Sequence, residues 1–432
     1  MEQIELVKAL LDEMEKRKPI YQKYQDYYEG EHSILHEPRK VDGTQNDMRG
    51  VFNYCRKVVN NATGYILGKP VSYQSKSGDR DFINEIEKWF SYWEKKQNIR
   101  LKEYTEIFGV AYEIASSTPQ GEFKCDAFSP LEVITIHDGT MQRNTSLAVR
   151  KYQKPFDDTV YVDVWNQKNV SRYKLSGTRS LEFIETKAHL FDRCPVTEVI
   201  NNSSSKSTFH DIIKIVELYN AVMSASANEI LDHRTAYLVI EGATIELDEA
   251  IKMKENGIIL APPGSKVYWA TKDINNSFVK EMLKDWQDEM FIQTNQVNLN
   301  ENFQSNTSGV SIRLKLQELE NLSAIKESMF EEALMRRMQL FCYWLKEQEG
   351  LKHDWKDIRV TFSRNIPVDE KSITDMIVAL EGMVPLEDLL SWHPKISNPQ
   401  LTAEKLNKEK AENGAYTLKE HLEKVDKDES TE

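Results

Sequence analysis

The feature that most constrains this chain is a long helical pattern without a helix breaker. No glycine or proline occurs between Gly309 and Gly350, and apolar residues from Ile312 to Leu345 keep helical spacing. At 1.5 Å per residue, a helix of roughly 40 residues would be about 60 Å long. Few compact domains need such a rod. The pattern therefore predicts an element that buries little unless neighbouring molecules pack against it.

A polar insert lies directly before this helix. Residues 295–308 are crowded with Asn, Ser and Gln, which bond their own backbone and favour turns over helix. The insert is predicted to be a loop, and a loop this long is usually functional or disordered. A surface helical hairpin with a flexible connection is the simplest alternative. The helix before the loop is predicted from apolar residues that recur every fourth position: Phe278, Met282, Trp286 and Met290.

Length and charge limit the classes of protein that fit. At 432 residues, the chain is too long for one ordinary core, so two or more packed regions are expected. A net charge of −13 argues against tight DNA binding, because proteins that neutralise phosphates carry clustered Lys and Arg. Acidity still allows DNA to pass by, since a negatively charged wall repels the duplex and keeps it mobile.

The sequence gives no sign of a membrane protein or of a cysteine motif. The first residues lack the cationic and apolar segments of a secretory signal, and no run approaches 18 apolar residues. The four cysteines lie far apart and do not form the close pairs of zinc or redox motifs. They are predicted to be reduced, buried thiols of a cytoplasmic protein.

The N-terminal half is predicted to hold three helices and an antiparallel β meander. The first helix is expected to end at Pro19. The second carries its apolar residues between Val51 and Ala62 and is expected to stop near residues 64–70. The third carries an aromatic stripe over residues 82–93, which is assigned to the core. From residue 110 to 185, apolar residues recur at about every second position, as they do in strands. This spacing is clearest at residues 133–136, 160–164 and 170–175.

A polar linker is predicted at Asn201–Ser207. The following Thr208–Asp211 resembles a capping box, which would begin a helix that runs to Asp232. Period-two runs at 236–241 and 257–270 then return, with a short helix near 247–255 between them. This small module stands between two long helices, and that position exposes it to partners.

The C-terminal part is predicted to be mostly helical. One strand is expected at 358–362, followed by helical segments near 372–381 and 387–391. Residues 402–432 are mostly charged, with one possible helix and an end that frays. The whole chain is predicted to have an α+β fold.

Motifs for chemistry are weak. Gly68-Lys69-Pro70 lacks the preceding glycine and the following Ser or Thr of a phosphate-binding P-loop, because Thr63 and Pro70 hold those positions. The carboxylates Asp157, Asp158 and Asp163 are interpreted as solvated turn residues. The serines at 203–205 have no nearby histidine and are assigned to the linker. No catalytic residue, and no cofactor, is predicted.

One pair of histidines has a spacing that could hold a metal. His32 and His36 are four residues apart, so they would share a face of a continuous helix. Gly30 and Pro38 make such a helix doubtful, and no third ligand is specified. No metal site is predicted, and a surface or interface pair is favoured.

Several short segments carry a resemblance to a known family. They are Tyr24-Gln-Asp-Tyr-Tyr-Glu-Gly-Glu-His32, Asn53-Tyr54, Val58-Val59-Asn60, Gly64-Tyr-Ile-Leu-Gly-Lys-Pro-Val71, Cys194-Pro-Val-Thr-Glu-Val-Ile-Asn-Asn202, Ser308-Gly-Val-Ser-Ile-Arg-Leu-Lys-Leu316 and Phe362-Ser-Arg-Asn-Ile-Pro367. Because these segments occur in this order and at this spacing, the chain resembles the portal proteins of tailed bacteriophages, of the type found in long-tailed phages of Gram-positive hosts.

The resemblance implies a division of the chain. It assigns a wing to residues 1–208, stem helices to 209–235 and 276–297, a clip to 236–275, a tunnel loop to 298–308, a long kinked helix with a wing strand to 309–366, and a crown with a C-terminal tail to 367–432. The crown is short compared with that of larger family members.

The resemblance also implies a function and its residues. It predicts a homo-dodecameric ring at one capsid vertex, through which double-stranded DNA enters and leaves. The expected partners are the terminase, a head-tail connector or adaptor, and the major capsid and scaffolding proteins, with no membrane. The tunnel loop would present Asn298, Leu299, Asn300, Asn302, Phe303, Gln304 and Asn306. The clip would dock the motor or neck through Tyr237, Val239, Ile259, Pro262, Lys266 and Tyr268.

Two other classes remain open at this point. The chain could be a capsid or neck structural protein without a channel, or a nuclease or ATPase of the packaging machine. Within the tunnel loop, Leu299 and Phe303 could form the narrowest point or could pack the loop base against the helices.

Overall fold

A computed structural model describes residues 2–37, 47–177, 180–232, 237–242, 248, 251–252, 263–270, 276–298, 316–364, 370–393, 396 and 399–413. Helices and antiparallel strands follow one another along the chain in segregated groups. The predicted α+β class is confirmed.

The first helix, α1, is longer than predicted. It spans Glu2–Glu29 and contains Pro19, so the prediction that Pro19 ends it was wrong. A proline inside a helix costs about 3 kcal/mol. Tyr24 and Tyr27, which follow it, are both buried, and Tyr24 packs edge-on against Phe209 at 5.9 Å. Burial of these rings offsets the cost of the proline. A short helix, α2, follows at Ser33–His36.

The aromatic stripe lies in the core but not in one helix. After α3 (Tyr54–Leu67) and strand β1 (Ser72–Ser75), α4 covers Arg80–Phe90 and α5 covers Glu94–Phe108. Phe82 and Phe90 are fully buried, as predicted. Trp93 instead stands at the N-cap of α5, a helix that the sequence did not indicate.

The predicted β meander is confirmed. A five-stranded sheet follows the chain in the order β4-β5-β6-β7-β8, with every pair antiparallel. A second sheet has the order β3-β2-β9. The strands are β2 (Val110–Ser117), β3 (Phe123–Phe128), β4 (Val133–His137), β5 (Thr145–Gln153), β6 (Val160–Trp165), β7 (Asn169–Ser176), β8 (Ser180–Ala188) and β9 (Val196–Ile200).

Helix α1 covers one face of the meander. Val7, Leu10 and Met14 are buried against Val149 and Val162 of the central strands. Apolar residues at helical spacing thus meet apolar residues at strand spacing.

The segment predicted as a polar linker is exposed at residues 203–206 but buried at both of its ends, Asn201 and Ser207. Asn201 is buried, and its Nδ2 donates to Glu106 Oε2 at 3.2 Å. Backbone crowding explains why residue 109 is a glycine. Its φ is +82°, and a Cβ at this position would lie 2.2 Å from the Ser205 carbonyl oxygen. The capping box was also wrong. Thr208 Oγ1 bonds to Glu106, Asn201 and Lys326, and the helix begins only at Ile213.

Two long helices and a β hairpin follow in the predicted order. Helix α6 spans Ile213–Asp232, β10 spans Tyr237–Glu241, β11 spans Lys266–Ala270, and α7 spans Asn276–Gln293. The two strands pair antiparallel, with Val239 opposite Tyr268. Most of the short helix predicted near 247–255 lies outside the described residues.

The long helix, α8, covers Gln317–Gln348. Its 32 residues would be about 48 Å long; the predicted start and any kink at 309–315 lie outside the described residues. The expectation that this helix buries little was wrong for the described part. Trp344, Phe341 and Phe330 are almost fully buried in the core that α8 forms with α3, α4, α5 and the β2 sheet.

The chain ends in a small helical group. A single 3-10 turn precedes β12 (Ile358–Thr361), which pairs with β1. Helices α9 (Glu370–Ala379), α10 (Leu386–Ser391) and α11 (Pro399–Asn413) then share their own apolar cluster. The strand and all three helical segments were predicted. Across the described ranges, no helix is long and apolar enough to cross a membrane.

Candidate functional site

The start of the polar insert is fixed to the body of the protein. After α7, Thr294 Oγ1 donates to the Met290 carbonyl at 2.7 Å. Gln296 is buried; its Nε2 donates to the Val58 carbonyl at 2.7 Å, and its Oε1 accepts from Asn61 Nδ2 at 3.2 Å. A buried amide with partners on both of its ends sets the direction in which the chain leaves α7.

The return end of the insert is also fixed, at the first turn of α8. Glu320 Oε2 accepts from Tyr65 Oη at 2.5 Å, and its Oε1 lies 2.7 Å from Arg364 Nη2. Arg364 also pairs with Glu327. The hydrogen bond from Arg364 holds the pKa of Glu320 below its usual range. This carboxylate is therefore ionised near neutral pH and stays bonded to both partners.

Both ends of the insert are thus tied to one helix. Val58, Asn61 and Tyr65 all belong to α3, and seven residues of helix correspond to about 10 Å along its axis. The two anchors, Gln296 and Glu320, therefore lie close together on α3. We call residues 299–315, which lie between these anchors and outside the described part of the chain, the excursion.

Of the residues predicted for the tunnel loop, only the first lies in the described part of the chain. Asn298 Nδ2 donates to Asp288 Oδ1 of α7 at 3.3 Å. Leu299, Asn300, Asn302, Phe303, Gln304 and Asn306 lie outside it, and their roles stay predictions.

Helices α6 and α7 bury apolar side chains at the end near the body of the protein and expose them to solvent at the other end. Val216 and Met290 are buried near the body of the protein. Further along, Ile230 is 67% exposed and Phe278 is 61% exposed, and a groove of 760 Å³ runs between the two helices. Large apolar side chains at such positions are typical of surfaces that another molecule covers.

The described part of the β hairpin between these helices has little apolar core of its own. Tyr268 is 49% exposed, and Lys266 is also exposed. In the strand register, Tyr237 pairs with Ala270. A two-stranded sheet is marginally stable alone, so the hairpin needs additional packing. Ile259 and Pro262 of the predicted docking set lie outside the described residues.

The two candidate histidine ligands occupy different environments. His32 is buried; its ring stacks on Tyr27 at 4.5 Å, and both ring nitrogens are engaged, with the Tyr27 carbonyl and with Asn220. His36 is exposed beside Glu31. In the ranges that the structure describes, no group of three His, Cys, Asp or Glu side chains could hold a metal.

The remaining candidate groups are structural. Gly68 is the C-cap residue of α3 and does not lie in a loop between a strand and a helix. Asp157 is a turn residue, as predicted, and accepts from the Thr159 N–H at 2.9 Å. Asp163 was wrongly assigned to a turn. It is buried in β6 and pairs with Arg172 at 2.8 Å.

Two buried charge clusters were missed by the sequence analysis. One centres on Glu106 and includes Lys326; the other joins Arg337 to Glu113. A signal was present, since Lys326 and Arg337 stand at helical spacing within the apolar stripe of α8. A charged residue on a buried helix face implies a buried partner.

Comparison with known proteins shows which family this chain resembles. The family described as "Phage portal protein, SPP1 Gp6-like" matches residues 7–415. The portal protein of Clostridium phage phiCD119 is 24% identical over 374 residues, which cover 81% of this chain and 77% of that protein. The portal protein of Bacillus phage SPP1 is 19% identical over 407 residues, covering 88% of this chain and 79% of that protein. A chain in a structure titled "Neck of empty GTA particle computed with C6 symmetry" has a TM-score of 0.48 and 10% identity, with 78% of this chain and 89% of that chain covered.

The family match over nearly the whole chain places it in the class of phage portal proteins, which are structural components of the virion. The chain belongs to the SPP1 Gp6-like family of phage portal proteins. The family resemblance seen in the sequence is confirmed.

Proposed function

We propose that copies of this chain form a ring, a dodecamer in the virion, whose channel carries double-stranded DNA into and out of the capsid. The anchoring to α3 of Gln296 and Glu320, one on each side of the excursion, is the observation that carries this proposal. It supports a polar excursion held at the same place on every subunit, and cyclic symmetry would bring these excursions together around one axis.

The composition of the excursion suits a sliding duplex. Asn, Gln and Ser side chains would offer weak, interchangeable contacts, often through water, whereas arginines would bind phosphate strongly. The net charge of −13 would keep DNA from adhering to the rest of the wall.

The division of the chain follows the same proposal. Helices α6 and α7 would be the stem, the hairpin of β10 and β11 the clip, and the helices after Pro367 the crown. The open apolar ends of α6 and α7 support contact with neighbouring subunits. The clip would dock the terminase during packaging and the head-tail connector afterwards.

The remaining partners and the location complete the proposal. The major capsid and scaffolding proteins would contact the ring during assembly in the host cytoplasm, and the finished ring would occupy the portal vertex of the virion. The role is structural and not enzymatic.

The proposed channel is tested by placing positively charged side chains in the excursion. Replacing Asn300 and Asn302 by Arg should reduce the DNA packaged at low salt, with recovery at high salt, because each phosphate contact steepens the log–log salt dependence by about 0.9. The control replaces the same two residues by Gln, which changes length without charge and should package normally. Normal packaging by the Arg variant at every salt concentration, in intact rings, would mean that this loop does not touch DNA.

A separate pull-down experiment tests the clip. Deletion of residues 245–265 should leave α6 and α7 folded but abolish binding of the terminase in a pull-down. Unchanged binding would remove the clip from the proposal without affecting the channel.

A further inference from the structure

A buried polar cluster lies where three parts of the chain meet. Its centre is Glu106, in the last turn of α5, which is 0% exposed. Lys102 Nζ, one turn earlier on α5, lies 2.9 Å from Glu106 Oε1. Lys326 Nζ of α8 lies 2.6 Å from Glu106 Oε2. Both lysines are buried, so two cations from different helices share one carboxylate.

The segment just before α6 completes this cluster. Thr208 Oγ1 donates to Glu106 Oε2 and accepts from Lys326 Nζ at 2.9 Å and from Asn201 Nδ2 at 2.8 Å. The Thr208 N–H donates to the Glu106 carbonyl at 3.0 Å. The side chain and the backbone of one residue therefore both hold the chain that leads into α6.

The cluster connects the turn that leads into α6 with α8, the helix that follows the excursion. Thr208 is five residues before the start of α6, and Lys326 lies nine residues into α8, about 14 Å from its first turn. Their shared bonds to Glu106 link the turn that leads into α6 to α8. Any movement of this turn against α8 would break at least one of these hydrogen bonds.

The chemistry of the cluster suggests that it fixes the orientation of the joined helices more than it stabilises the fold. Replacement of buried ion pairs by apolar residues of similar volume is often neutral or stabilising, since desolvation of the charges is costly. Hydrogen bonds to a carboxylate have preferred directions, while apolar packing has none. A buried ionic cluster at a helix junction therefore sets an angle that an apolar junction would leave loose.

We propose that Glu106 is a positioning residue that, through Lys326 and Thr208, fixes the angle between α6 and α8. The proposal rests on the proposed function only in naming what this angle controls, which is the placement of the stem relative to the tunnel loop.

The experiment measures the distance between the two helices in the purified full-length protein. Nitroxide labels are placed on the exposed positions Ala225 of α6 and Glu332 of α8, and labelled subunits are diluted with unlabelled ones. The native cysteines are buried and do not compete for the label. Pulsed electron resonance then reports the mean distance and its spread, without any DNA.

Two matched pairs of variants separate positioning from a general loss of stability. Lys326→Met removes the arm from α8, while Lys102→Met removes the other lysine but leaves the link between α6 and α8. Thr208→Val removes the shared hydroxyl with little change of shape, and Thr208→Ser restores it. Lys326→Met and Thr208→Val should shift the mean distance by on the order of 1–2 Å, the scale of helix shifts at packed interfaces, or broaden it. Lys102→Met and Thr208→Ser should match the wild type.

An unchanged distance in both Lys326→Met and Thr208→Val would overturn the proposal, as would equal changes in Lys102→Met. If Lys326→Met fails to fold, the Thr208 pair alone decides. Because the readout involves no DNA, a negative result here would leave the portal function standing.

Discussion

Replacement of Arg337 by Met is expected to be the most damaging single change in the described core. Arg337 is 0% exposed. Its Nε and Nη2 donate to the two oxygens of Glu113 at 3.0 and 2.6 Å, and its Nη2 also donates to Asn98 Oδ1 at 2.8 Å. Its Nη1 lies 3.2 Å from Glu94 Oε1. The guanidinium thus ties α8 to β2 and to the start of α5.

The size of the effect follows from what the substitution leaves behind. Met fills much of the volume of Arg, but the buried Glu113 and the largely buried Glu94 stay without their cation. Removing one partner of a buried ion pair costs about 3–5 kcal/mol, a large share of the roughly 5–15 kcal/mol that holds a typical protein folded. Burial already raises the pKa of Glu94, so Glu94 can accept a proton more easily, and most of the cost should come from Glu113.

The assay is urea unfolding followed by tryptophan fluorescence at one fixed protein concentration, because association changes apparent stability. Arg336→Met is the matched control. Arg336 is the preceding residue, and it forms a partly exposed pair with Glu332 at 3.0 Å, which is worth at most about 1 kcal/mol. The double variant Arg337→Met/Glu113→Gln should recover part of the loss. Equal free energies of unfolding for Arg336→Met and Arg337→Met would refute the reasoning.

Two further predictions concern buried groups. Burial raises the pKa of the Cys55 and Cys194 thiols to about 12, so the native protein should resist iodoacetamide near pH 8 and react only after denaturation; rapid alkylation of either thiol in the folded protein would contradict its buried position. Burial raises the pKa of Glu106, but attraction to Lys102 and Lys326 outweighs this effect and lowers the pKa from 4.5 to about 2. The ionised carboxylate should contribute about 3 kcal/mol above pH 4.5, lost as the pH falls towards 2. The difference in stability between wild type and Glu106→Gln should therefore shrink in acid, and a difference that stays constant with pH would show that the charge of Glu106 is not the cause.

Sequence periodicity predicted the elements whose burial follows a regular pattern. The apolar residues at every fourth position before the insert predicted α7, and the alternation at 160–164 and 170–175 predicted β6 and β7. In β6 the apolar residues Val162 and Val164 are buried, so the pattern records which side meets the core. In α7 the same kind of pattern marks a face that is buried at Met290 and exposed at Phe278.

The errors share a different physical cause. Local sequence rules assign Pro19 to a helix end and Asn201 to a solvated linker. Contacts with residues distant in sequence decide both: Phe209 packs on Tyr24, and Glu106 binds Asn201. Local chemistry cannot reveal such partners. The same limit hid Arg337, whose partner Glu113 lies 224 positions away.

The anchoring of the insert illustrates what sequence could and could not provide. Its Asn-rich and Ser-rich composition predicted a loop between two helices, and the elements on both sides are confirmed. That Gln296 and Glu320 both bind α3 was not predictable, because α3 lies more than two hundred positions earlier and its polar residues carry no special pattern.

The central claim, that this chain forms a ring around a channel, is tested most directly by electron microscopy of the purified full-length protein, with light scattering at the same concentration. The account predicts closed rings of identical subunits with an open centre wide enough for a B-form duplex. A stable monomer, or an oligomer without a central opening, would contradict it.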